Sequence, residues 1–212
     1  MFTGITRGLF DVVAVEREEA LLRFDVQLGA YGEGLELGAS VSIDGVCQTL
    51  VRWERGVARF EAIQETLAKT TLGELAVGAK VSVERSARVG DEIGGHDVAG
   101  HVTGTGTVHA LRAEGHEVQL TVSVAPAWMR FLQPKGYVAL DGSSLTIGDA
   151  VDEAQGRFDV FLIPETLART GLGRKRPGDR INVELDPKTV AIVRTVEREL
   201  ARRGLTQGGV TD

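Results

Sequence analysis

The chain has 212 residues, 42% apolar and 25% charged, with a net charge of −6. That length suits one large domain or two of about 100 residues each. With no excess of Lys and Arg to neutralise phosphates, nucleic-acid binding is disfavoured as a function class. The single cysteine, Cys47, excludes an intramolecular disulfide framework and a multi-thiolate metal site within one chain, and it fits a reducing compartment.

In chain order, MFTGITRGLF has no apolar run long enough for a signal peptide, and no stretch of about 20 apolar residues occurs anywhere. A soluble, cytoplasmic protein without membrane contact is expected. AKVSVER (79–85) alternates apolar and polar residues, as does VQLTVSV (118–124), and RINVELD (180–186) sets Ile181, Val183 and Leu185 against Asn182, Glu184 and Asp186. ASVSID (39–44), VARFEAI (57–63) and GRFDVFL (156–162) alternate less perfectly. Period-2 runs split by glycine-rich turns read as short antiparallel strands. Short helical pieces are expected where ETLAKT (65–70) and ETLART (165–170) lose the alternation. The basic run Arg174-Lys175-Arg176 precedes Pro177-Gly178 and reads as a solvated turn. From Pro187 a helix is expected to about Gly204, with Thr189, Val193, Val196 and Leu200 at 4-3-4 spacing. Two readings of that narrow stripe stand: a helix packed on its own domain, or a seam between copies of the chain. The tail, residues 205–212, is expected to be flexible.

The second half repeats the first. Residues 61–84 and 161–184 agree without gaps at eleven of twenty-four positions. IDGVCQTL (43–50) pairs with LDGSSLTI (140–147), and FTGITRGL (2–9) aligns loosely with HVTGTGTV (101–108). The offsets of 97 to 100 residues indicate a duplicated domain rather than a solenoid. The boundary is expected near Gly94 to Gly100, giving domains 1–96 and 97–187 and an oligomerisation helix 188–204. About six strands per half suggest an all-β fold of two similar six-stranded antiparallel barrels of Greek-key type, since closure removes exposed edges.

Chemistry-bearing motifs are sparse. The Gly104-Thr105-Gly106 triplet is no dinucleotide fingerprint, because nothing helical follows. His96 and His101 have no ligating partners at metal spacing, and no metal is expected. Cys47 alone on a strand reads equally as a small buried hydrophobe. The repeated polar pairs Thr49/Thr146, Glu65/Glu165 and Thr66/Thr166 have two readings. They are duplicated strand-end caps, or they furnish two related pockets for a neutral, polyhydroxylated ligand.

MFTG, DGVCQT, ETLAKTTLG, GGHDVAGH, DGSSLT and IPETLARTGLG followed by INVELDP occur in order through both halves. Together they resemble the riboflavin synthase alpha chain family, over nearly the whole chain. The resemblance implies two six-stranded barrels, a C-terminal helix, a homotrimer, and no metal or organic cofactor. It implies transfer of a four-carbon unit between two molecules of 6,7-dimethyl-8-ribityllumazine, giving riboflavin and 5-amino-6-ribitylaminouracil. Two copies of one substrate make a duplicated binding domain chemically sensible. Whether the assembly contacts lumazine synthase is left open by the sequence.

By the same resemblance, the N-terminal pocket uses Gly4, Ile5 and Thr6, then Cys47, Gln48 and Thr49. It continues through Glu61, Ala62, Ile63, Gln64, Glu65 and Thr66 to Gly100, His101 and Val102. The C-terminal pocket uses Ser144, Leu145, Thr146, Phe161, Leu162, Ile163, Pro164, Glu165, Thr166 and Asp186, with Lys135 reaching a ligand in the neighbouring subunit. The functionally sensitive set is Phe2, Ser40, Cys47, His101, Ser144, Thr146 and Asp186. His101 and Cys47 are expected near the four-carbon donor, and Ser144, Thr146 and Asp186 around the other pterin. Gln48 and Asp97 depart from the family pattern, both expected beside the N-terminal pocket. Non-catalytic lumazine antenna proteins resemble the same fold but lose parts of the polar set, which this chain retains. A barrel binding some other small molecule is the third reading.

Overall fold

A computed structural model describes residues 1–115 and 117–205, so most of the expected tail lies outside the described residues. The first half forms β1 (Gly8–Arg17), β2 (Leu21–Gln27), β3 (Ser40–Ile43), β4 (Val46–Glu54), β5 (Val57–Ile63) and β6 (Lys80–Arg85). They close a barrel in the order β1-β2-β5-β4-β3-β6, with every pairing antiparallel. The second half forms β7 (Gly104–Glu114), β8 (Glu117–Ser123), β9 (Tyr137–Leu140), β10 (Ser143–Asp152), β11 (Arg157–Leu162) and β12 (Arg180–Leu185), which close in the same circular order. The duplication extends to irregularities. The register of β1 against β2 shifts between Val12 and Ala14, and that of β7 against β8 between Val108 and Ala110. Each barrel has its own core, with Phe24, Phe60, Leu50 and Val81 in the first and Leu120, Phe158, Ile147 and Val183 in the second.

The short helices α1 (Gln64–Lys69) and α2 (Pro164–Arg169) follow the fifth strand of each barrel. They start a residue earlier than the loss of alternation suggested, so Glu65 and Glu165 lie in their first turns. Each carboxylate is paired at i+4, with Lys69 or Arg169, at 2.8 Å.

The barrels meet about a pseudo-twofold axis through the two Asp-Gly turns. A Cβ on Gly45 would lie 2.5 Å from the Gly142 nitrogen, and one on Gly142 would lie 2.7 Å from the Gly45 nitrogen, so only glycine permits this approach. Asp44 Oδ1 accepts from the Ser82 N–H at 2.7 Å, and Asp141 Oδ1 from the Asn182 N–H at 2.8 Å. The polar faces of β6 and β12 turn into this interface rather than to solvent, so Ser82, Glu84, Asn182 and Glu184 are all buried. Asn182 spans it, donating to the Asp44 carbonyl and the Thr71 hydroxyl.

Lys175 corrects the expectation of a solvated basic turn. Its Nζ lies 2.8 Å from Asp141 Oδ2 and donates to the Arg180 carbonyl. Burial opposes its charge, but Asp141 outweighs that and raises its pKa. Across the axis, burial first and the charge of Asp141 second push Asp44 up to about 7.

The C-terminal helix α3 (Pro187–Arg202) has Pro187 in its first turn, and Asp186 caps it by accepting from the Lys188 and Thr189 N–H groups. The expected stripe is split. Val190 and Val193 pack on the second barrel's core, while Ile192, Val196 and Leu200 are exposed. Thr189 donates its hydroxyl to Asp186 at 2.6 Å and is part of the cap.

Candidate active site

Two segments cross between the barrels and build the site. Residues 1–6 leave the first barrel and dock on the second, where the Ser144 N–H donates to the Gly4 carbonyl at 2.9 Å and Thr6 Oγ1 lies 3.1 Å from Ser143 Oγ. Residues 98–102 dock on the first, where the Cys47 N–H donates to the Gly100 carbonyl at 2.9 Å. The two segments hold each other through Phe2 and Val98, whose N–H and carbonyl groups exchange bonds of 2.7 and 3.1 Å. Phe2 is 1% exposed and packs with Val98, Ala139 and Cys47 at this crossing.

A buried glutamate anchors each crossing. Glu84 accepts from the Thr3 N–H and hydroxyl at 2.7 Å each and from the Gly4 N–H at 3.0 Å. Glu184 accepts from the Ala99 N–H at 2.7 Å and the Gly100 N–H at 2.9 Å. Burial raises the pKa of both, against the opposing effect of those hydrogen bonds. Gly4 and Gly100 share a left-handed backbone, φ +76° and +79°. A Cβ on Gly4 would lie 2.5 Å from Ser144 Cβ, and one on Gly100 would lie 2.7 Å from Cys47 Cβ.

These contacts correct two expectations. The true partner of Phe2–Gly8 is Val98–Gly104, with an offset of 96 residues, so Gly4 matches Gly100 and Ile5 matches His101. Gly4, Ile5 and Thr6 therefore lie against the second barrel rather than in the N-terminal pocket. A cleft of about 290 Å³ there brings them together with Ser144, Ile163, Glu165 and Thr166. Leu145 and Leu162 point instead into the second barrel's core. Thr146 and Phe161 are exposed, as is Pro164 at the start of α2.

On the first barrel, Thr49 is exposed and pairs in register with Ser40, while Cys47 is half-buried. Residues 61–70 follow the same sequence of buried and exposed positions as 161–170: Glu61, Ile63, Gln64 and Glu65 are exposed, Ala62 is buried and Thr66 is half-buried. Glu61 is tied to Arg23 at 2.8 Å. His101 is exposed and Val102 is half-buried against the first core. Gln48 turns inward at the place matching Leu145. It donates to the Cys47 carbonyl, but its Oε1 is buried without a protein partner.

Asp97 is also relocated. Its carboxylate is 2.5 Å from Lys188 Nζ at the start of α3, on the side of the second barrel. Beside it His96, which the sequence presented only as a metal candidate, places Nδ1 2.6 Å from Ser144 Oγ and stacks on Tyr137 at 5.1 Å. Tyr137 pairs in register with Thr146. Burial lowers the His96 pKa, against the raising effect of Asp186 and Asp97. For Asp186, partial burial is outweighed by hydrogen bonds from Thr189 and the Lys188 N–H, which hold its carboxyl below the usual range. Lys135, at φ +64°, is exposed and reaches Asp149 at 3.1 Å. Among the described residues no group of three or more His, Cys, Asp or Glu side chains could hold a metal.

The two duplicated barrels thus each hold a docked segment beside a hydroxyl- or thiol-bearing strand. The chain belongs to the lumazine binding domain family, whose model matches residues 3–86 and 99–186. The riboflavin synthase of Escherichia coli (strain K12) is 42% identical over 205 residues, covering 96% of this chain and 95% of that one. That of Chlamydia trachomatis is 37% identical over 210 residues, covering 98% and 100%. The crystal structure of LumP complexed with riboflavin superposes with a TM-score of 0.80 at 23% identity, covering 88% of this chain and all of that one. LumP with 6,7-dimethyl-8-(1'-D-ribityl) lumazine gives 0.78 at 22%. At that identity the likeness to LumP is one of fold.

Proposed function

We propose that this protein is a riboflavin synthase, converting two molecules of 6,7-dimethyl-8-ribityllumazine into riboflavin and 5-amino-6-ribitylaminouracil. One observation carries the reading: two docked segments share one backbone plan but present different polar groups, Cys47 and His101 at one and Ser144 beside His96 at the other. The reaction consumes two identical molecules in unequal roles, which a duplicated but diverged pair of sites suits. The retained polar set favours this over a non-catalytic antenna.

The chemistry needs two flat heterocycles stacked with their reacting carbons close. Such positioning contributes up to roughly 7–11 kcal/mol. The lumazine C7 methyl is acidic because its anion delocalises into the ring. Hydroxyl and N–H donors at the pocket edge stabilise that anion, and a group that carries its proton adds about 10²–10⁴-fold. The N-terminal pocket of one subunit faces the C-terminal pocket of its neighbour in a homotrimer, with Lys135 reaching across. The exposed Ile192, Val196 and Leu200 of α3 support assembly through that helix. Among the described residues no helix is long and apolar enough to cross a membrane. The cytoplasm is the proposed site of action.

The test is incubation with 6,7-dimethyl-8-ribityllumazine while riboflavin is followed by absorbance. The expected yield is one riboflavin per two lumazines, unchanged by chelator. Tight binding of the lumazine without riboflavin formation would move the protein to the antenna class.

A further inference from the structure

His101 lies within the segment docked on the first barrel, and His96 lies in the residues leading into that segment. His96 is 8% exposed, and its ring is fixed between Ser144 and Tyr137, whose plane it meets at 13°. Its Nε2 is buried and has no partner among the described residues, and the carboxylate oxygens of nearby Asp186 are taken up by Lys188 and Thr189.

That orphan nitrogen decides the tautomer. A buried unpaired N–H is the more costly state, and an under-used acceptor is better tolerated. The ring proton therefore belongs on Nδ1, where it is donated to Ser144 Oγ. Ser144 then accepts from His96, and its own hydroxyl proton is left to point into the cleft it lines with Gly4, Thr6 and Thr166. We propose that His96 is a positioning residue that fixes the Ser144 hydroxyl as a hydrogen-bond donor to an electron-rich atom of the pterin in the C-terminal pocket. This rests on the reading of that cleft as a substrate pocket. It gives the C-terminal site an oriented donor for the anion formed at one lumazine.

The test exploits the two ends of the imidazole. His96→Asn retains an N–H near the Nδ1 position, whereas His96→Gln places its amide near Nε2 and leaves Ser144 unsupported. Thermal unfolding checks that both variants fold. His96→Asn is expected to keep kcat within about 3-fold of the original protein, and His96→Gln to lower it about 10-fold or more, with KM changed by less than about 3-fold in both. In a Ser144→Ala background, itself lowered about 10-fold or more, the difference between the two should vanish. Equal kcat for the two variants, the reverse order, or a difference that survives in the Ser144→Ala background would overturn the role of His96. Full kcat in Ser144→Ala alone would instead remove the pocket reading beneath it.

Discussion

The two barrels share strand order, bulges, crossing segments, anchoring glutamates and the pairs Thr49/Thr146, Glu65/Glu165 and Thr66/Thr166, yet other matching places around their sites differ in chemistry. Cys47 stands where Ser144 stands, His101 where Ile5 stands, Ser40 where Tyr137 stands, and Gln48 where Leu145 stands. The cleft on the second barrel is lined by Ile5 and Ile163, whereas His101 is the exposed residue at the place of Ile5 on the first. Only the second half continues into a helix. Duplication thus preserved what holds a flat ligand in place, and divergence changed what acts upon it.

The largest effect is expected at α3. Replacing Ile192, Val196 and Leu200 by polar residues removes roughly 1.5–3 kcal/mol of burial per side chain from each contact between copies. Sedimentation should show monomers at micromolar concentration with both barrels folded and riboflavin formation lost. A persistent trimer would place assembly elsewhere.

Next come the crossings. Gly4→Ala drives a methyl into Ser144, and Gly100→Ala drives one into Cys47, each at a left-handed backbone. A displacement of about 1 Å at a reacting centre costs on the order of 10²-fold. Each variant should lose about that much kcat while ligand fluorescence still reports the other pocket. If one variant were fully active, only one pocket would matter.

A smaller effect is expected at the axis. Folding raises the Asp44 pKa to about 7, so the native state holds a proton that the unfolded chain releases above about pH 4. Raising pH then favours unfolding, by up to about 1.4 kcal/mol per unit between roughly pH 5 and 6.5, with the slope halved near pH 7 and gone about a unit above it. Asp44→Asn keeps an acceptor for the Ser82 N–H and should remove that slope. Parallel stability–pH curves for the two proteins, measured by urea unfolding, would contradict the shift. The smallest effect is at Gln48. Replacement by leucine, as at position 145, removes an unpaired buried oxygen and should raise stability by about 1 kcal/mol. A loss of stability would mean that the amide has a partner.

The strands were legible because their alternation is local, and the barrels because the repeat is ungapped over residues 61–84 and 161–184. The family resemblance supplied the residues expected at both pockets. What failed were features created by contact between the halves. The crossing of residues 1–6 leaves no periodic trace, and the pairing of FTGITRGL with HVTGTGTV missed the Gly4–Gly100 equivalence that only the Glu84 and Glu184 anchors reveal. Lys175 sits in a Pro-Gly turn that reads as solvated, and only Asp141 from another turn explains its burial. Asn182 and Glu184 lie on the polar side of an alternating strand, and burial of that side depends on a second barrel. His96 carried one signal: it stands two residues before the repeated segment that opens at Val98.

The central claim is that one reaction uses unlike pockets of neighbouring subunits. Co-expression of Gly4→Ala and Gly100→Ala chains tests it most directly. Each damages one pocket, and mixed trimers contain some intact pairs, about one in four for random assembly. The account predicts that two nearly inactive proteins together recover about a quarter of the original riboflavin-forming activity. Recovery absent from mixed trimers whose composition is verified by mass spectrometry would contradict it and place both substrates within a single chain.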